Sequence, residues 1–230
     1  MSDLRSYKAL GTVAYCATAP FVMERFAFSY GQMMAYNTAH IEKPGEIIYY
    51  DKQAMSWLPR GRNDIAKSMR GDWVFMLDAD LEFDPDILER MLYLFEKHKA
   101  PVVTGIYTYK RKPHFPVLYQ YNSKRQVYEI VAKWDGDADL FRVDAAGSGC
   151  LLIHKDVFTI IWHKLKEDPF DPIRQLSEDF SLFDRLRRVG VGVYVAPKVT
   201  LTHLGVTGYD YDPSQYTDSM INKMKERESK

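Results

Sequence analysis

The sequence predicts an α/β fold: a mostly parallel sheet flanked by helices, with a smaller antiparallel ribbon region in its second half. Three observations predict it. Short apolar, β-branched runs alternate with amphipathic stretches through residues 11–107, the pattern of strand-helix-strand units. Residues 117–143 switch to period-two alternation cut by turn residues. The 230 residues carry 31 basic and 31 acidic side chains, and 46% are hydrophobic, which excludes a disordered chain and fits one domain with a sizeable core. A net charge of zero argues against a protein held on nucleic acid by bulk electrostatics.

Taken in order, residues 11–18 are apolar and β-branched and stop at Ala19-Pro20, a buried first strand. Residues 21–38 place Phe26, Ser29, Tyr30, Met33, Met34 and Asn37 near helical period. Residues 46–51 form a second strand ending on Asp51, and residues 60–70 a helix with Ile65, Ala66 and Met69 on one side. Residues 72–78 are the clearest strand. Asp84-Pro85 then offers an N-cap acid with proline at the first helical position, ahead of a stripe from Ile87 to Phe95. Residues 100–107 are the fourth strand, and this alternation implies a parallel sheet covered on both faces.

Three antiparallel segments follow at 117–121, 126–132 and 140–143. Residues 149–154 read as a strand, 156–165 as a helix, 178–189 as a helix and 192–197 as a late strand, before a charged tail. Cys16 and Cys150 stand in apolar runs, so buried free thiols and a reducing compartment are expected. No run nears the roughly 18 apolar residues that span a bilayer, and residues 1–8 lack signal-peptide character. The expectation is a cytoplasmic protein without stable membrane insertion.

Leu77-Asp78-Ala79-Asp80 stands where the hydrophobic strand runs out, at the carboxyl edge where open α/β sheets bind ligands. Two carboxylates so spaced can share Mg²⁺ or Mn²⁺, which keep waters and take diphosphate oxygens. They would also serve as turn and helix caps, although Asp84 already fills that place. Glu178-Asp179 opens a helix behind Ser177, where acids are ordinary partners of the helix dipole. His203 follows the last strand and can be a structural imidazole or a metal ligand.

In this order, these features resemble glycosyltransferases of the GT-A fold, particularly the family-2-like group. The resemblance covers about residues 10–206. It rests on the 72–80 strand with Asp84-Pro85, the segment 144–153, the run 177–187 with Gly190, His203, and the Arg60-Gly61-Arg62-Asn63 helix ahead of the metal strand. It implies a Rossmann-like GT-A sheet with a nucleotide-sugar half over about 10–110, an acceptor half over about 111–206 and a tail from 207. It further implies a metal-dependent transfer of a hexosyl or pentosyl group from a UDP- or GDP-sugar, with Mn²⁺ or Mg²⁺ at Asp80, Asp78 and His203. Asp179 would be the general base of an inverting reaction, with Glu178 orienting the acceptor. Ala17, Thr18, Pro20, Asp51 and Asp78 would cradle the nucleotide, and Arg62 would reach the diphosphate. The acceptor stays open among a small molecule, a glycan, a protein side chain and a modified nucleobase. Two other functions remain open: a non-catalytic nucleotide-sugar-binding domain, and a phosphotransferase of the haloacid-dehalogenase type, which also places Asp-x-Asp after a strand.

Other features carry less. Lys110-Arg111-Lys112 is either a solvated turn or an attractor for an anionic donor. Residues 135–139 imitate a calcium loop, but Leu140 and Ala146 stand where glycine and the final acid are needed. Gly147-Ser148-Gly149 lacks the Gly-Lys-Ser/Thr of a phosphate loop and reads as a flexible acceptor-side loop.

Overall fold

The computed structural model describes residues 10–17, 22–54, 57–205 and 208–209, together with Asp218, Met220 and Asn222. The elements in chain order are β1 (Gly11–Ala17), α1 (Glu24–His40), β2 (Ile48–Ala54), α2 (Leu58–Ser68), β3 (Trp73–Asp78), β4 (Leu81–Glu82), α3 (Ile87–His98) and β5 (Val102–Ile106). They continue with β6 (Leu118–Asn122), β7 (Val127–Ile130), β8 (Phe141–Val143), β9 (Ala145–Ala146), β10 (Cys150–His154), α4 (Lys155–Leu165), α5 (Glu178–Val189), β11 (Val193–Thr200), β12 (Thr202–Leu204) and β13 (Gly208–Tyr209).

A strand apolar at every position must be covered on both faces. β3 is such a strand from Trp73 to Leu77, and it lies inside a seven-stranded sheet of order β2-β1-β3-β10-β5-β11-β8. Its side chains alternate between two cores. Val74 and Met76 face α2, α4 and α5 through Ile65, Phe158 and Phe183, whereas Phe75 and Leu77 face α1 and α3 through Phe26 and Met91. The sheet is therefore a layer between helices, as the sequence predicts. β1 pairs parallel with β2 and β3, and β5 parallel with β11. Strand β10 enters antiparallel between β3 and β5, and β8 closes the edge antiparallel to β11.

Two departures have one cause. An apolar run shows that a strand is buried, not which way it points, so the reversal of β10 is invisible in the sequence. Likewise β6 and β7 form the expected hairpin, with β9 as a third strand, but the third expected ribbon segment leaves them as β8 for the main sheet. Helix α5 has the predicted bounds, with Ser177 accepting from the Phe180 amide and Gly190 closing its end at φ +79°. The α3 cap is a correction. Asp86, not Asp84, occupies the N-cap position and makes no side-chain cap bond, and both carboxylates pair with Arg90, at 3.3 Å for Asp86 and 3.2 Å for Asp84. Residues 135–139 form a turn in which the Asp137 amide donates to the Asp135 carboxylate, while Asp139 pairs with Lys97 and His98. Of the tail from 207, Gly208–Tyr209 are described as β13, and Asp218, Met220 and Asn222 as helical.

The reversed strand is the seam of the sheet. Leu152 is fully buried opposite both Phe75 and Val103, so Leu152→Ala is expected to cost about 2–5 kcal/mol in urea unfolding. A cost below about 1 kcal/mol would contradict a close-packed seam here.

Candidate active site

The carboxyl ends of β1 and β3 open on a cleft of about 250 Å³ lined by Cys16, Ala17, Met23, Leu58, Asp78, Ala79 and Asp80. Ala17 is thus at the cleft, whereas Thr18 and Pro20 lie outside the described residues. Asp51 stands elsewhere. Strand β2 runs on to Ala54, so Asp51 sits within it, bonded to the Lys52 amide, Gln53 and Ser68.

Arg62 is where the sequence expectation and its placement differ most. It was expected at a diphosphate, but Ile65 and Ala66 anchor α2 against the sheet, and that face carries Arg62 inward until its side chain is 3% exposed. One guanidinium nitrogen, Nη1, donates to the Ser148 carbonyl at 3.1 Å, and Nη2 reaches Asp78 Oδ1 at 2.7 Å. Glu178 and Asp179 stand 4.0 Å away on its other side. Burial opposes the guanidinium's charge, but Asp78 and Asp179 outweigh it and hold the group more firmly protonated than usual.

The start of α5 is fixed from two directions. The Asn63 amide donates to Asp171 at 2.7 Å and its carbonyl accepts from the Phe170 amide at 2.9 Å. Arg185, also buried, reaches back to Glu167 and to the carbonyls of Pro169 and Asp171. The segment before Ser177 therefore cannot drift, and Asp179 is delivered beside Arg62. Asp179 Oδ1 is buried with no hydrogen-bond partner. Burial pushes the Asp179 carboxyl up to about 6; Arg62 pulls it down, while Glu178 and Asp78 push with burial.

Asp80 and His203 meet through the small sheet, in which β12 pairs with β4 and places His203 opposite Leu81. The Leu204 amide donates to the Asp80 carbonyl at 2.7 Å, and His203 Nε2 stands 3.5 Å from Asp80 Oδ2. His203 Nδ1 lies 2.6 Å from the Thr108 carbonyl. A carbonyl only accepts, so Nδ1 carries a proton, and the form of the ring that could bind a metal is the one with its lone pair on Nε2, the nitrogen that faces Asp80. Asp80 Oδ2 also takes the Lys110 ammonium at 2.6 Å, and Asp80 Oδ1 is buried without a partner. Burial works against the Asp80 charge, yet His203 and Lys110 outweigh it and hold the carboxyl below its usual range. The three expected metal ligands thus divide: Asp80 and His203 meet, while Asp78 turns to Arg62. Among the described residues no group of three or more His, Cys, Asp or Glu side chains is gathered as a metal site.

The segment expected to be a flexible acceptor loop is instead tightly held. Gly147, Ser148 and Gly149 are buried, and a β-carbon at Gly149 would fall 2.7 Å from Asp78 Oδ2 and 2.9 Å from the Tyr107 hydroxyl. The Tyr107 hydroxyl accepts from the Gly149 amide at 3.0 Å. Sequence reasoning passed over Ser148, Asn63 and Arg185. For Asn63 the Arg-Asn pair was a usable signal, and for Ser148 and Arg185 none exists without the fold. Cys16 and Cys150 are free and buried as expected, and burial raises their thiols to about 11 and about 12.

The profile described as "Glycosyl transferase family 2" matches residues 34–150, which include the Arg62 helix, Asp78, Asp80 and the Ser148 carbonyl that Arg62 meets. The chain belongs to glycosyl transferase family 2. Two solved structures share the architecture of this family-2 chain. The A197 protein from STIV superposes with a TM-score of 0.53 at 14% identity, over 84% of this chain and 85% of that one. GalNAc-T7 with UDP, GalNAc and Mn²⁺ superposes with a TM-score of 0.55 at 10% identity, over 88% of this chain and 43% of that one. At those identities the likeness shows the GT-A fold alone. No curated protein matches the sequence. No described helix is long and apolar enough to cross a membrane.

The raised Asp179 carboxyl has a consequence for stability. Its folded value of about 6 lies above the ordinary 3.8, so the folded chain binds the proton more tightly. The group favours folding fully below about pH 4 and loses that contribution as pH rises through about 6. Asp179→Asn is therefore expected to gain in thermal stability relative to wild type across this window. A difference constant from pH 4 to pH 8 would contradict the burial of this charge.

Proposed function

We propose that this family-2 chain transfers a sugar from a nucleoside-diphosphate sugar to an acceptor hydroxyl, with inversion, using Asp179 as general base and a divalent ion held by Asp80 and His203. One observation carries the reading. Arg62 draws the β3 acid Asp78 and the α5 acid Asp179 to one point, and Asp78 shares its cleft with Asp80, which meets His203. A donor laid along the cleft at Ala17 and Asp78 then has a cation site at one end and a basic carboxylate nearby.

The fit to a divalent ion is supported by the unpartnered Asp80 Oδ1 and by the Nε2 lone pair of neutral His203. Two protein ligands leave further positions to diphosphate oxygens and water, the usual manner for Mg²⁺-like ions. When bound, the ion supplies Lewis-acid stabilisation of the charge that builds on the departing diphosphate.

The remaining chemistry belongs to the chain. With its carboxyl near 6, Asp179 is ionised at neutral pH yet more basic than an ordinary aspartate, as proton removal from an acceptor hydroxyl requires. Arg62 keeps Asp179 in place and balances its charge without spending a hydrogen bond on the reacting oxygen. Glu178, the neighbouring acid, orients the acceptor, and Asp78 holds Arg62. The donor half is the β1–β3 side. The acceptor half lies over α5 and the β6–β7 hairpin, where Phe180 packs on Tyr119 and Tyr128.

Incubation with UDP- and GDP-sugars and Mn²⁺ tests this directly. Wild type is expected to consume one donor, with a rate that climbs as pH rises through about 6. Asp179→Asn should lose about 10²–10⁴-fold in transfer while still binding UDP with Mn²⁺. Undiminished turnover in Asp80→Ala would contradict the metal placement.

A further inference from the structure

Two cations serve the acids of the site, and they are held differently. Arg62 is 3% exposed and fixed by a carbonyl and a carboxylate. Lys110, after β5, is 38% exposed, and its ammonium lies 2.6 Å from Asp80 Oδ2. That oxygen is also the one nearest His203 Nε2, at 3.5 Å, while Asp80 Oδ1 stays buried and unpartnered. The next basic residue does not share this position, since Arg111 lies over the Tyr109 ring at 5.2 Å.

We infer that Lys110 is a displaceable cation: it neutralises Asp80 while the donor side is empty, yields Asp80 to a divalent ion, and turns its ammonium onto the diphosphate of the incoming nucleotide. The inference rests on the reading of Asp80 as a metal ligand. The physical reason is that an ammonium on Asp80 Oδ2 and a divalent ion on the same carboxylate stand a few ångströms apart and repel strongly. Of the two cations, only Lys110 can leave. A half-exposed Lys–carboxylate pair is weak, and a compact ammonium on a flexible stem changes partner at little cost. A buried guanidinium that abandoned its carboxylate would strand a charge out of water. The diphosphate supplies the new partner, because an ammonium is a ready phosphate ligand. Lys110 thus couples loading of metal and donor: the ion alone must compete with a resident charge, whereas ion and diphosphate together offer that charge another anion.

The test is Mn²⁺ uptake by the donor-free protein, followed by the electron paramagnetic resonance of the free ion, in wild type, Lys110→Met, Lys110→Arg and Asp80→Ala. Removing a positive charge a few ångströms from the ion is expected to tighten Mn²⁺ binding about tenfold in Lys110→Met. Lys110→Arg, which keeps the charge, should stay within about twofold of wild type, and Asp80→Ala should lose the site. With UDP present the order reverses, and Lys110→Met holds UDP and Mn²⁺ several-fold more weakly than wild type. Asp80-dependent uptake that Lys110→Met leaves unchanged or weakens overturns the role of Lys110 alone. So does unaltered UDP affinity. Uptake indifferent to Asp80→Ala overturns this inference and the metal site of the proposed function together. Circular dichroism confirms that each variant is folded.

Discussion

A buried guanidinium is the constraint on which the site depends. Arg62 has almost no water, so its charge must be met by protein, and Asp78, Asp179, Glu178 and the Ser148 carbonyl meet it. Those partners come from β3, α5 and the turn before β10, which are far apart in sequence. Packing of α2 brings Arg62 inward, and the acids must then converge on it. Gly149 has to be glycine because Asp78, held toward Arg62, fills the space of a side chain. The bonds of Asn63 and Arg185 to the 167–171 segment act to the same end, since they set where the acids of α5 arrive.

This arrangement divides four acids into two centres of different character. Around Arg62 the compensating cation is itself buried, and desolvation leaves Asp179 with a raised carboxyl. Around Asp80 the compensation comes from His203 and from a lysine that is 38% exposed. The net charge of zero that excluded broad adhesion to polyanions is therefore uninformative about small anions. What governs them is the local pairing, with one closed cation and one open one.

Much of this was legible in the sequence. Apolar runs located the strands of the sheet, and capping residues gave α5 its bounds, because burial and capping leave marks on single residues. The Asp80–His203 pair was also anticipated, through the order of the motifs. Direction and partnership leave no such marks. Nothing in residues 149–154 tells that β10 runs against its neighbours, and nothing in 140–143 sends β8 to the main sheet rather than the ribbon. Arg62 reads as a diphosphate contact until the register of α2 on the sheet is known. The Gly147-Ser148-Gly149 segment suggested flexibility, whereas its glycines answer to crowding by Tyr107 and Asp78. Asp84 looked like a cap and instead pairs with Arg90, a competition between two local partners that composition cannot settle.

The claim that Arg62 organises the acids is tested most directly by a double-mutant cycle on Arg62 and Asp78, read by equilibrium unfolding. Arg62→Met alone leaves half-buried carboxylates without their cation and is predicted to cost up to about 3–5 kcal/mol. Adding Asp78→Asn to it should recover a substantial part of that loss, giving a coupling of at least about 1 kcal/mol. Strictly additive losses would show that the two side chains act independently, and the account of a site built around one buried charge would fall.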